Sequence, residues 1–167
     1  PDVDAVYIAT PAAQHRPWAV QALEAGKHVL VEKPMANNAD DAQLLADAAA
    51  AHPDLVVMEA FHWRYHPAAA RITELVASGV LGRVEHVEAA FDIPDGGIPR
   101  GDIRWDVALG GGATMDLGCY PIQWVRHAVA ATGDTGVPSV TAATAAEPEP
   151  GIDGSLVAVL TWASGVT

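Results

Sequence analysis

Three short apolar runs, separated by two segments of helical spacing, constrain this chain more than any other feature. Residues 3–9 (Val-Asp-Ala-Val-Tyr-Ile-Ala), 28–31 and 55–59 have the length and β-branched content of buried strands. Residues 15–25 carry helical spacing, with Trp18, Ala22 and Leu23 on one face and Gly26 placed as a stop. Residues 39–51 are rich in alanine, with Leu44, Leu45 and Ala48 as the inner stripe and Asn37 or Asn38 placed to cap the helix. Strand, helix, strand, helix, strand with short connections predicts right-handed crossovers and a parallel sheet.

The middle run ends abruptly. Val29-Leu30-Val31 stops on Glu32-Lys33-Pro34, and in an open α/β sheet the carboxyl ends of the strands are where ligands bind. Pro34 has no backbone donor and disfavours helical dihedrals at Lys33, so the lysine leaves the sheet extended. A solvated Glu-Lys pair in a loop is the plain alternative for so short a stretch.

Beyond residue 60 the pattern changes. Residues 67–78 predict an amphipathic helix with Ile72, Leu75 and Val76 inward, ending at Gly79. Residues 83–93 alternate as a half-buried strand, and 94–104 are a Gly/Pro-rich loop. Gly110-Gly111-Gly112 leads into a helix over 113–130, with Met115, Cys119, Ile122 and Val125 on or near one face. Residues 138–147 and 155–162 read as two strands split by the turn-forming Glu147-Pro-Glu-Pro-Gly151. This order predicts an α+β arrangement with a mostly antiparallel sheet.

Composition narrows the function. At 167 residues, 50% of them hydrophobic, with mean hydropathy +0.16, the chain is long and apolar enough to bury a core. A net charge of −12 argues against a nucleic-acid partner, which calls for a basic face. The single cysteine, Cys119, permits no internal disulfide and fits a reducing compartment. No apolar run is long enough to span a bilayer and no basic-then-apolar leader is present, so the expectation is a soluble, cytoplasmic protein without a membrane partner. The chain begins at Pro1-Asp2-Val3-Asp4 without Met and ends at Thr167 just after a strand and turn, so it is expected to be a piece of a longer protein.

Chemistry-bearing residues concentrate around the glycine turn. Asp116 and Tyr120 are four residues apart, which on an α-helix puts both on one face. Three glycines before the helix allow other backbone or a ligand to approach closely. A tyrosine near the Lys33 ammonium would have its phenolate favoured, as proton exchange with a substrate hydroxyl requires. The alternative is a half-buried Tyr120 and an Asp116 that caps or pairs locally. Arg64, between Trp63 and Tyr65, reads equally as a cation against aromatic faces beside a ligand or as a surface arginine packing its stem. Trp105 precedes the glycine turn, where either a substrate loop or packing would place it. His15, His62 and His66 lack metal-ligand spacing with other donors, so no metal is expected. Cys119 reads as a small buried residue rather than a nucleophile.

Four of these stretches together resemble the Gfo/Idh/MocA family of NAD(P)-dependent oxidoreductases. Val6-Tyr-Ile-Ala-Thr-Pro11 with His15 is similar to the family's strand and turn, although Ala12 stands where asparagine is usual. Gly26-Lys-His-Val-Leu-Val-Glu-Lys-Pro34 is similar to its Glu-Lys-Pro strand. Glu59-Ala-Phe-His-Trp-Arg-Tyr-His-Pro67 resembles the entry to the second domain, and Gly110-Gly-Gly-Ala-Thr-Met-Asp-Leu-Gly-Cys-Tyr120 the active-site helix. Tyrosine at 120 resembles the dihydrodiol dehydrogenase and glucose–fructose oxidoreductase branch; inositol dehydrogenase-like members carry histidine there.

The resemblance implies the C-terminal part of a Rossmann-type parallel sheet followed by an incomplete α+β domain with a mostly antiparallel sheet. Residues 1–62 would be a partial dinucleotide-binding domain lacking its first βα unit, and 63–167 a partial substrate and oligomerisation domain. It implies hydride transfer between NAD or NADP and a secondary alcohol or carbonyl of a sugar, polyol or cyclic diol. Lys33, Tyr120 and Asp116 would be catalytic. Thr10, Pro11, His15, Glu32, Lys33, Pro34 and Arg64 would meet the cofactor, and Trp63, Trp105 and Asp116 the substrate. The glycine-rich pyrophosphate turn and the residue that separates NAD from NADP would lie upstream, so the piece alone is expected to be inactive. A homo-oligomer is implied for the whole protein. An NAD-dependent glycoside hydrolase and a non-catalytic sugar or dinucleotide sensor are the alternatives on the same scaffold.

Overall fold

The computed structural model describes residues 2–167. By Cα packing the chain forms two compact units, Pro1–Phe61 with Ile98–Asp116, and His62–Gly97 with Leu117–Thr167. Residues 98–116 pack with the first unit.

The first unit is built on a parallel sheet in the order β1 (Ala5–Ile8), β2 (His28–Val31), β3 (Val57–Glu59). Its register pairs Ile8 with Val31 and Val31 with Glu59, so the three strands end level with one another. Helix α1 (His15–Glu24) connects β1 to β2, and α2 (Ala39–Ala51) connects β2 to β3. Ile8, Ala19, Leu23, Val29, Val31 and Leu45 are buried together as the core. Two stripe assignments are corrected here. Trp18 and Leu44 are about half exposed; Ala19 takes the inward position beside Ala22 and Leu23 on α1, and Leu45 is buried on α2 as expected.

Local chemistry sets the helix ends. Gly26 lies at φ 71°, its N–H donating to Leu23 O (2.8 Å), while Lys27 N–H donates to Ala22 O (2.9 Å). This pair of bonds is a Schellman cap and requires the left-handed residue that glycine supplies. Asn38 begins α2 by accepting from Asp41 N (2.8 Å), with Asp40 and Asp41 in the first turn where the helix dipole favours anions. Arg16 Nε donates to Asp41 Oδ1 at 2.7 Å, tying α1 to α2.

The second unit holds α3 (Pro67–Ala77), α4 (Cys119–Ala130) and a hairpin of β4 (Ser139–Ala146) and β5 (Ser155–Thr161), antiparallel with a bulge between Val140 and Ala142. His66 caps α3 by accepting from Ala68 N, and Pro67 takes the first helical position, where a missing N–H costs nothing. Val129, Trp162 and Val166 form the buried cluster, with Val84, Val87, Val125 and Leu160 against it. Residues 83–93, expected as a strand, have no regular secondary structure and join no sheet. Their backbone pairs only briefly, Val87 N–H donating to Thr167 O (2.9 Å) and Thr167 N–H to Glu85 O (3.2 Å), which is too short a ladder to define a strand.

Candidate functional site

The level ends of the parallel strands form a rim braced by side chains. His15 is buried, with Nε2 2.7 Å from Thr10 O and Nδ1 2.8 Å from Pro34 O. It therefore joins the turn after β1 to the turn after β2. With both nitrogens occupied by backbone, His15 shapes the rim rather than reaching a ligand through its ring nitrogens. Glu59, at the end of β3, accepts from Met35 N at 2.7 Å and fixes the third strand end to the same turn. The Lys33–Pro34 peptide is cis.

Glu32 and Lys33 diverge at the tip of β2. Glu32 Oε1 accepts from the Tyr7 hydroxyl at 2.5 Å, and Oε2 from Lys33 N at 3.1 Å. Donation to Glu32 raises the Tyr7 pKa above its ordinary value. The Lys33 ammonium donates to Asp116 Oδ1 (3.0 Å) and to the Asp116 carbonyl oxygen (2.6 Å). Both side chains are mostly buried, 17% and 16% exposed, so this ion pair is better shielded than a surface one. Thr10 Oγ1 is buried and has no hydrogen-bond partner among the described residues. A donor and acceptor left open at the carboxyl end of β1, beside an extended rim turn, fits a bound dinucleotide.

Asp116 has a second cation, which sequence reasoning did not find. Arg104 Nε donates to Asp116 Oδ2 at 2.6 Å, and its Nη1 donates to Asp102 Oδ1 at 3.0 Å. Asp102 also accepts from Arg104 N, a local turn that the Asp-x-Arg spacing was able to signal. These bonds raise the Arg104 pKa further, Asp116 contributing most, and lower that of Asp102 through the Arg104 backbone N–H and then its side chain.

The glycine turn explains how Arg104 arrives there. Gly112 N–H donates to Arg104 O at 2.9 Å. A Cβ on Gly111 would lie 2.6 Å from that same oxygen, so the approach needs glycine. Gly110, at φ 81°, brings its Cα against the side chains of Asn37 and Ala12. The close approach expected of these glycines is thus made by protein backbone and side chains.

The helix after the turn departs from expectation. Thr114–Gly118 is π-helical and α4 starts only at Cys119. Asp116 and Tyr120 are therefore not an ordinary α-helical i, i+4 pair; the wider turn stacks residues five apart. Glycines at 112 and 118, weak at holding a regular α turn, flank the departure. In the second unit, Tyr120 lies edge-on to His62 (centroids 6.3 Å apart) and Phe91 (5.4 Å).

Of the remaining sequence candidates, Trp63 is buried, stacked on Trp124 at 4.0 Å with the His127 ring edge-on at 5.2 Å. Its ring faces thus pack within the second unit. Thr73 Oγ1 lies 2.8 Å from His127 Nε2, continuing the same contact to α3. Arg64 is exposed and borders an open cleft of about 290 Å³ in the second unit with Arg126, His127, Asp134 and Trp162. Trp105, in the first unit, has the Arg100 guanidinium 4.0 Å from its ring centroid, and its buried indole N–H has no partner among the described residues. Among the described residues no set of three His, Cys, Asp or Glu side chains is arranged to hold a metal, and no helix is long and apolar enough to cross a membrane.

Residues 1–61 match the family described as an oxidoreductase family with an NAD-binding Rossmann fold, and residues 69–167 match the GFO/IDH/MocA C-terminal domain. The chain is 43% identical over 122 residues to dTDP-3,4-didehydro-2,6-dideoxy-alpha-D-glucose 3-reductase of Actinomadura kijaniata, covering 73% of this chain and 36% of the relative. It is 39% identical over 168 residues to D-xylose 1-dehydrogenase (NADP(+)) 2 of Haloferax volcanii, covering 99% and 48%. It is 37% identical over 125 residues to trans-1,2-dihydrobenzene-1,2-diol dehydrogenase of Xenopus laevis, covering 75% and 37%. The crystal structure of a 3-ketoreductase from Actinomadura kijaniata with NADP and TDP-benzene superposes with a TM-score of 0.85 at 36% identity, covering 99% of this chain and 49% of that one. The chain thus spans half or less of the length of these relatives.

Proposed function

We propose, from the premise that this chain belongs to the Gfo/Idh/MocA family of NAD-binding oxidoreductases, that the whole protein moves a hydride between NAD or NADP and a sugar, polyol or cyclic diol. The observation that carries the reading is the Lys33 ammonium, held on Asp116 at the carboxyl end of β2. The names of the relatives, reductases and dehydrogenases acting on a nucleotide-linked sugar, xylose and a cyclic diol, support net oxidoreduction over a hydrolase or a sensor.

The bound dinucleotide supplies the hydride acceptor or donor. Thr10, Pro11, Glu32 and Pro34 line the rim that holds it, and His15 keeps the first two strand ends in register by its bonds to Thr10 O and Pro34 O. Lys33 hydrogen-bonds the reacting oxygen of the substrate and stabilises negative charge developing there. Tyr120 gives or takes the hydroxyl proton, with Phe91 and His62 flanking its ring. Asp116 orients Lys33 and the substrate, and the Trp105 indole N–H is the donor left for a substrate hydroxyl. Arg64, on the exposed face of the second unit, is kept as a cofactor contact. The whole protein works in the cytoplasm as a homo-oligomer.

The test is absorbance at the reduced-nicotinamide band, using the full-length protein, NAD or NADP, and a panel of sugars, polyols and cyclic diols. Substrate-dependent reduction or oxidation supports the reading. A flat trace across the panel, with dinucleotide binding shown separately, contradicts it.

A further inference from the structure

We propose that Arg104 is a positioning residue for the Lys33–Asp116 pair, holding Asp116 Oδ2 so that Oδ1 and the carbonyl oxygen of Asp116 stay on the Lys33 ammonium. The final torsion of an aspartate is broad and nearly two-fold, so one partner on one oxygen does not fix the carboxylate plane. A second, charge-assisted bond to the other oxygen does. Arg104 Nε makes that bond at 2.6 Å, while Nη1 is anchored on Asp102 at 3.0 Å. The guanidinium is therefore a rigid fork between two carboxylates, a geometry that an ammonium cannot copy.

Backbone holds the fork in place. The Arg104 carbonyl accepts from Gly112 N–H and lies where a Cβ on Gly111 would intrude, so the glycine turn and the arginine are one device. Charge makes the same point. Without Arg104, the Asp116 carboxylate loses the cation on Oδ2 and neutralises the Lys33 ammonium more completely. With Arg104 it is shared between two cations, and Lys33 keeps more of its charge for an oxygen that develops negative charge.

The turnover half of the test rests on the proposed hydride transfer, and the spectroscopic half on geometry alone. In the full-length protein, Arg104→Ala lowers kcat about 10- to 100-fold, the scale of a small misplacement at a reacting centre, with dinucleotide affinity unchanged. Added guanidinium ion restores part of that turnover, which repair of a merely structural defect would not do. Arg104→Lys falls between the variant and the wild type. The Lys33 ammonium signal in ¹H–¹⁵N spectra, assigned by its loss in Lys33→Arg, is sharp in the wild type and broadened in Arg104→Ala. Wild-type turnover and an unchanged ammonium signal in both Arg104 variants overturn the proposal. An Arg104-dependent ammonium signal in a protein inactive on the whole panel leaves the positioning role standing and removes the hydride-transfer reading instead.

Discussion

Asp116 takes a lysine on one carboxylate oxygen and an arginine on the other, and half of this arrangement was legible in the sequence. Lys33 announces itself because an apolar strand stops on Glu-Lys-Pro, and Asp116 because it follows three glycines at a helix start. Arg104 gives no such sign. Its bond to Asp116 reaches twelve residues across short 3-10 turns and the glycine turn, where no single helix or strand period relates one side chain to another. The same blindness hid Asp134, which accepts from Gly136 N (3.0 Å) and Ser164 N (3.1 Å). The Ser164 hydroxyl, then the Gly136 and Ser164 N–H groups, hold its pKa below the ordinary carboxylate range. A lowered folded pKa means stability present above the unfolded value of about 4 and lost as pH falls through the folded one. Thermal unfolding of the wild type is thus expected to lose midpoint more steeply below pH 4 than that of Asp134→Asn; parallel curves would contradict the assignment.

At the scale of elements, the order of strands and helices in residues 1–61 was readable, and two of them to their bounds. Strand β2 and helix α2 fall on their expected bounds, and the Asn38 cap and the Gly26 stop are both formed. Such ends are set by local side-chain and backbone chemistry. The faces were harder, because Trp18 and Leu44 are apolar like the residues that do face the core. Which one turns inward depends on where the sheet lies, not on the helix period. The π turn at Thr114–Gly118 was invisible for a related reason, since no residue type demands it. Residues 83–93 show the converse: the alternation is present, but a strand exists only where a neighbour completes its ladder. Leu23 is fully buried on the inner face of α1. Leu23→Ala is expected to cost about 2–5 kcal/mol of stability in denaturant titration. A loss below about 1 kcal/mol would show that this core tolerates a cavity.

Across the whole molecule, the chain carries three level strand ends in the part that matches an NAD-binding Rossmann fold and a second part that matches the family's C-terminal domain, within half or less of the length of its relatives. Its charge of −12 leaves the cations of the first-unit site distinct from their surroundings. Lys33 and Arg104 are two of only nine lysines and arginines in the chain, and both converge on one aspartate. In the proposed reaction this convergence serves the reacting oxygen. The most direct test is single-turnover reduction of the nicotinamide in the full-length protein, comparing wild type, Lys33→Ala and Tyr120→Phe at saturating dinucleotide. A fall of at least about 100-fold in the chemical step is expected for each variant, the scale of removing a general acid–base or electrostatic group, with dinucleotide affinity far less affected. Wild-type rates in Lys33→Ala would contradict the proposed reaction.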